Sequence, residues 1–135
     1  MRRTYRGRCA CGAVRFEATL DIAAGTVKCN CSYCARVRLW SAPCRPDDLR
    51  LLVSEAELAD YLGSNPVAHH PFCRTCGVHP FDRIEVPNMT GAPYLNVSIA
   101  CLDDLDVDEL MAAPIRFADG LHDTWDAAPA ETRHL

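Results

Sequence analysis

Apolar and polar positions change places along this chain over short distances, with a period nearer two than 3.6. TYRGRC (4–9) and AVRFEATL (13–20) carry β-branched and aromatic residues on either side of the turn-forming CACG. That pattern predicts a hairpin. GTVKCN (25–30) predicts a short strand running straight into a cysteine cluster. RLWSAPC (38–44) predicts a strand closed by Pro43, and LRLLV (49–53) a buried or edge strand. EAELADYL (55–62) fits helical spacing or a short strand between turns. HHPFC (69–73) leads into CRTCGVHPF (73–81), with strands expected on both sides of a tight turn. YLNVSIACL (94–102) is the clearest core strand. DVDELMAA (106–113) predicts one or two helical turns, with Asp106 as N-cap. Scattered prolines keep every segment short. No repeat, low-complexity tract or linker interrupts the series. Many short strands with frequent turns predict a β-rich single domain over residues 1–135.

The bulk numbers narrow the function. A chain of 135 residues buries a real core, so it folds without staples. Apolar residues make up 49% of it, which excludes disorder. A net charge of -4 argues against nucleic acid as the main partner, because phosphate binding needs clustered Lys and Arg. Arg2, Arg3, Arg6 and Arg8 form a basic run that reads as a solvated strand face. No run approaches the ~20 apolar residues of a membrane helix. The basic N-terminus is not followed by the apolar segment of a secretory signal. A cytoplasmic protein without a membrane partner is expected.

Nine cysteines change the picture. An odd count in a reducing compartment favours metal binding or thiol chemistry over disulfides. They fall into Cys9-Ala-Cys11-Gly12, Cys29-Asn-Cys31-Ser-Tyr-Cys34 and Cys73-Arg-Thr-Cys76-Gly77, with Cys44 and Cys101 apart in apolar contexts. In an extended strand residues i and i+2 point to one side, so C-x-C aims two sulfurs at one point. C-x-x-C across a turn does the same, and a glycine after the last cysteine suits φ > 0. Two such turns facing each other make a closed four-thiolate zinc site. Cys9, Cys11, Cys73 and Cys76 are therefore expected to hold a structural zinc that clamps the start of the chain to its middle.

The central group supplies only three ligands. Cys31 and Cys34 share one face of a helical turn, and Cys29 ends the strand before it. Three protein ligands with an exchangeable position is the pattern of catalytic zinc. Such a site suits an incoming thiol, which loses its proton as the fourth sulfur. On spacing alone a closed site is equally open, with Cys44, Cys101, His69, His70, His79 or His122 as fourth ligand. Seven thiolates and two Zn²⁺ together add -3, taking the loaded chain from -4 to about -7.

Taken in order, GRCACGAVRFE, CNCSYCAR, FCRTCGVHPF and YLNVSIACL resemble the glutathione-dependent formaldehyde-activating enzyme family. With ELADYLGSNPVAHHPFC, the resemblance covers roughly residues 5–125. It implies the β-tent fold, in which small antiparallel sheets fold over zinc. It also implies a structural zinc on Cys9, Cys11, Cys73 and Cys76. A catalytic zinc on Cys29, Cys31 and Cys34 would bind a small thiol, and that second ion can be labile. The implied reaction joins glutathione to formaldehyde as S-hydroxymethylglutathione, a carbon–sulfur lyase step when reversed. One departure is visible: family members often carry His where this chain has Asn30, and Asn does not titrate near neutral pH.

The remaining candidates have two readings each. His79 is a structural histidine, a donor to the metal ligands or a general base. His122, Asp123 and Trp125 resemble the family's C-terminal signature, near the reactive zinc or merely packing a terminal segment. Arg36 and Arg38 pair with a substrate carboxylate or face solvent. Tyr33 and Trp40 wall a pocket or fill the core. Cys44 and Cys101 are expected to be inert buried thiols. Two functions rival the enzyme: a scaffold with both zincs structural, and a redox protein with Cys31 and Cys34 as a labile dithiol.

Overall fold

The computed structural model describes residues 1–63, 67–85 and 92–135. The expected hairpin is present. β1 (Arg3–Arg8) pairs antiparallel with β2 (Arg15–Leu20), from Arg3 opposite Leu20 to Arg8 opposite Arg15. Alternation sends Tyr5, Phe16, Ala18 and Leu20 inward, all essentially without solvent exposure. Gly7 is required here, because a Cβ on it would lie 2.3 Å from the Phe16 ring. The basic run faces outward, as expected, but it is not merely solvated: Arg3, Arg6 and Arg8 pair with Glu109, Asp104 and Asp103. β5 (Leu49–Leu51) adds to the free edge of β2 and completes a three-stranded sheet.

The second sheet has seven strands among the described residues. β3 (Thr26–Cys29), β4 (Trp40–Cys44), β6 (Leu58–Tyr61), β7 (Ala68–Cys73), β8 (Phe81–Ile84), β9 (Tyr94–Ser98) and β10 (Ile115–Ala118) lie in the order β10-β3-β4-β9-β8-β7-β6. Two expectations need correction. The sheets are not wholly antiparallel, since β10 runs parallel to β3 from Ile115 opposite Thr26 to Ala118 opposite Cys29. The long chain between them gives room for the crossover that parallel pairing needs. Pro43 does not close β4, which continues to Cys44. β3 pairs with β4 only through Ser41 and Trp40, so the missing N–H of Pro43 leaves no partner unsatisfied on that side.

The ambiguous 55–62 segment divides. Residues Glu55–Glu57 form a single 3-10 turn capped by the Ser54 hydroxyl, and β6 follows. Residues 64–66 of the stretch quoted for the resemblance lie outside the described residues. A short helix α1 (Cys34–Val37) follows the central cysteines, and α2 (Val107–Ala112) starts where expected, with Asp106 accepting from the N–H groups of Asp108 and Glu109. Tyr5, Phe16, Leu20, Ile22, Phe81, Leu95, Val97 and Ile99 form the main core. Phe16 and Phe81 meet edge-to-face at 6.0 Å and join the two sheets. A smaller cluster of Cys9, Val14 and Cys73 sits beside it.

Candidate metal centres

Two cysteine turns face each other at the end of β1 and after β7. The sulfurs of Cys9, Cys11, Cys73 and Cys76 all lie within 4.8 Å of one another and can hold a metal ion. The Cys9–Cys11 and Cys11–Cys73 separations are 3.6 and 3.7 Å. Metal–sulfur bonds of about 2.3 Å in a tetrahedron put sulfurs about 3.8 Å apart, so the donor set fits. Gly12 and Gly77 take φ of +81° and +78°, which lets each turn close behind its cysteine. Backbone N–H groups of Val14, Thr75 and Cys76 point at Cys9 or Cys73 sulfur. The N–H groups of Val78 and Cys11 lower the Cys76 thiol to about 6. The Ala13 N–H also favours a Cys11 thiolate, but desolvation and the neighbouring sulfurs push that thiol up to about 11. Four thiols so close cannot all ionise without a cation among them.

Cys29 ends β3, and the chain turns at once through Cys31 into α1. The three sulfurs of Cys29, Cys31 and Cys34 lie within 4.8 Å of one another. The Cys31 N–H points at Cys29 sulfur and the Cys34 N–H at Cys31 sulfur, both at 3.3 Å. Hydrogen bonds from Cys29 and Cys34 favour a thiolate on Cys31, lowering it to about 2. The same contacts, with burial, push Cys34 and Cys29 up. One negative charge fits this pocket unaided, and three do not. Among the described residues, no fourth Cys, His, Asp or Glu joins the group. Cys44 and Cys101 lie elsewhere in the core, each 5% exposed, with burial pushing both thiols up, Cys44 to about 12.

The C-terminal segment packs against this cluster. The Asn30 amide donates to Asp119 at 2.8 Å and accepts from the Leu121 N–H at 3.0 Å. His122 Nδ1 lies 2.9 Å from the same carboxylate, and the Trp125 indole donates to Asp123. A Cβ on Gly120 would lie 2.9 Å from Cys29 sulfur. Asp119 and Gly120 were not singled out in the sequence, and no local signal marks them. His122 and Trp125 are largely exposed and hold no donor toward the sulfurs among these contacts.

Tyr33 stacks on His70 at a centroid distance of 3.7 Å and meets Tyr61 at 5.8 Å. Its ring thus ties the residue before Cys34 to β6 and β7. Trp40 instead packs inward, donating to Thr26 at 2.8 Å under the Lys28 ammonium. Arg36 folds back onto the Ser32 carbonyl. Arg38 holds a left-handed φ of 51° as the residue that ends α1. His69 pairs with Asp60, whereas His70 and His79 both meet Asp82. None of these histidines closes the cysteine cluster.

Residues 4–116 match the family described as glutathione-dependent formaldehyde-activating enzyme. The chain is also similar to a Rhodobacter sphaeroides protein of known crystal structure. The two share 30% identity and a TM-score of 0.67, over 82% of this chain and 99% of the other.

Proposed function

The chain belongs to the glutathione-dependent formaldehyde-activating enzyme family, and from that premise we propose that it makes or breaks a carbon–sulfur bond at Cys29, Cys31 and Cys34. Glutathione and formaldehyde are the lead substrate pair. The observation that carries the reading is three converging sulfurs with no fourth ligand among the described residues.

Zinc is the ion the donors suit. Cys9, Cys11, Cys73 and Cys76 would hold a structural ion, and Cys29, Cys31 and Cys34 an ion with one position left for a substrate thiol. Zinc bound there would supply Lewis acidity that keeps a substrate sulfur deprotonated yet nucleophilic. The chain's own residues do the rest. N–H groups of Cys31 and Cys34 hold the cysteine sulfurs in place. Tyr33 walls one side, and segment 119–121 packs against Cys29. In the forward direction the thiol sulfur bonds to the carbonyl carbon, the C=O π bond opens, and the thiol proton ends on the new hydroxyl. Asn30 cannot carry that proton near neutral pH. Both its amide groups are engaged with Asp119 and Leu121, so its role is to hold the segment.

The test is zinc content and sulfur coordination number under anaerobic, reducing conditions, with and without glutathione. Two cysteine-bound zincs, one gaining a sulfur only when glutathione is present, support the reading. ¹³C-formaldehyde then reports the hydroxymethyl adduct, formed faster than in buffer and no faster with Cys31→Ser. Two ions each held by four protein ligands would overturn the proposal in favour of a scaffold.

A further inference from the structure

We propose that His70, His79 and Asp82 form a third metal site, for a divalent ion of the zinc class held by nitrogen and oxygen. The three come together because the turn through Cys73 and Cys76 folds the chain back, setting His79 and Asp82 beside β7. The Cys73 N–H donates to the Val78 carbonyl and the Gly77 N–H to the Cys73 carbonyl, which fixes the return. One ligand atom from each residue lies within 4.8 Å of the others.

The state of His79 is the central observation. Its Nδ1 lies 2.7 Å from the Pro71 carbonyl oxygen, which can only accept. Nδ1 therefore carries the proton, and in the neutral ring Nε2 presents a lone pair. The His79 side chain is 7% exposed, and its Nε2 has no hydrogen-bond partner. Yet Asp82 Oδ1 is only 2.9 Å away. At that distance the missing bond is a matter of direction: the oxygen sits off the line along which the ring nitrogen would donate. Two ligands on one ion, with bonds of about 2.0–2.2 Å at angles of 90–110°, lie about 2.8–3.6 Å apart with the ion off their connecting line. The His79–Asp82 separation of 2.9 Å falls within the range of a coordination edge.

Burial and charge point the same way. Asp82 is 2% exposed and His70 9%. A carboxylate and a nitrogen lone pair packed together out of water are stabilised by a cation held between them. His70 Nδ1 lies 2.5 Å from the same Asp82 oxygen. Without an ion, that proton bridges the two. Binding releases that bridging proton to solvent, opens the contact by about 0.5 Å toward the coordination edge above, and leaves His70 protonated at Nε2 alone. Pro71 fixes the His79 tautomer from behind, as carbonyl partners of metal-bound histidines do. Two imidazoles and one carboxylate without sulfur make a harder donor set than either cysteine group. Tyr33, stacked on His70 within the Cys31–Cys34 turn, ties this site to the wall of the cysteine cluster.

Cobalt(II) tests the proposal, because cobalt held by thiolates shows intense charge-transfer absorption and cobalt held by nitrogen and oxygen does not. The full chain is loaded under anaerobic, reducing conditions, and total cobalt is compared with thiolate-bound cobalt. The proposal expects an excess of one cobalt per chain in the wild type. His79→Ala and Asp82→Asn should each remove that excess and leave the thiolate bands unchanged. No excess in the wild type overturns the proposal, and so does an excess that survives both substitutions. If the variants fail to fold, X-ray absorption on the zinc-loaded wild type decides. Imidazole outer-shell scattering behind a nitrogen shell near 2.0–2.1 Å is expected beside the sulfur shell, and its absence would overturn the site. Because the readout is the excess, an empty Cys29–Cys31–Cys34 centre would be seen separately as lost thiolate absorption.

Discussion

The Asn30 amide nitrogen and the Asp119 carboxylate meet at 2.8 Å across 89 positions of sequence. Asn30 is 8% exposed, so the contact is sheltered from water. It ties the residue between two cysteines to the segment that packs on Cys29. Asn30→Asp sets like charges against each other there and loses the donor. A cost of about 1–3 kcal/mol is expected, with a melting temperature several degrees lower. Faster hydrogen exchange should be confined to residues 119–125, measured by mass spectrometry. Unchanged exchange in that segment would mean that the contact does not hold it.

The cysteine groups were legible because each is local. C-x-C and C-x-x-C fix where sulfurs point within a few residues, and Gly12 and Gly77 take the positive φ that the turns need. The hairpin and α2 were legible for the same reason, and so was β9 as far as Ser98, where a 3-10 turn over Ile99–Cys101 replaces the rest of the expected strand. What depends on register between distant strands was not. β10 finds β3 in parallel, and Asp119 reaches Asn30, only once the whole sheet has formed. His70 and His79 were visible as ligand types, but nothing in the chain marks Asp82 as their common partner. His79 was read as a candidate for the cysteine centres, not as a ligand shared with His70.

The two cysteine centres should respond differently to loss of a ligand. Cys73 is fully buried and joins the β7 turn to the end of β1. A structural zinc held there would contribute on the order of 10 kcal/mol to folding. Cys73→Ser should therefore give insoluble or unfolded protein, lacking the native near-ultraviolet circular dichroism signal. Cys31 sits at a half-buried turn beside α1. Cys31→Ser should stay folded, lose one zinc, and show no thiol binding by titration calorimetry. A folded Cys73→Ser protein with full zinc content would reverse the assignment of roles.

Acid sensitivity should pass through Glu109. It accepts from the Tyr5 hydroxyl and, at 3.0 Å, from Arg3, and these contacts hold its carboxyl below the usual 4.5. A depressed carboxyl stabilises the fold above its unfolded pKa, and the gain is lost as pH falls through the folded value. Glu109→Gln should cost about 1.5 kcal/mol at pH 7, from a charged acceptor replaced by a neutral one. Because Gln does not titrate, the gap between wild type and variant should close below pH 4.5. Urea unfolding from pH 7 to pH 3 measures it. A gap constant with pH would mean that packing around Tyr5, not the charge, carries the effect.

Gly120→Ala separates the cysteine cluster from the fold. The backbone at Gly120 is not in the left-handed region, so alanine adds no strain of its own. Its Cβ would lie 2.7 Å from the Trp125 ring and 2.9 Å from Cys29 sulfur. Trp125 is half exposed and can swing away at little cost. The sulfur has one rotatable bond, and turning it moves Cys29 off the point where Cys31 and Cys34 converge. With only the four-cysteine centre loaded, the melting temperature should change by no more than about 2 °C, as for a surface substitution. Zinc affinity at the three-cysteine centre should fall about 10- to 100-fold, the range seen when groups packed around metal ligands are altered. A competitive titration against a chromophoric chelator reads both centres at once, and the four-cysteine centre serves as internal reference. Equal affinity in wild type and variant would show that segment 119–125, not the sulfur, gives way. Control of Cys29 would then rest with β3 alone.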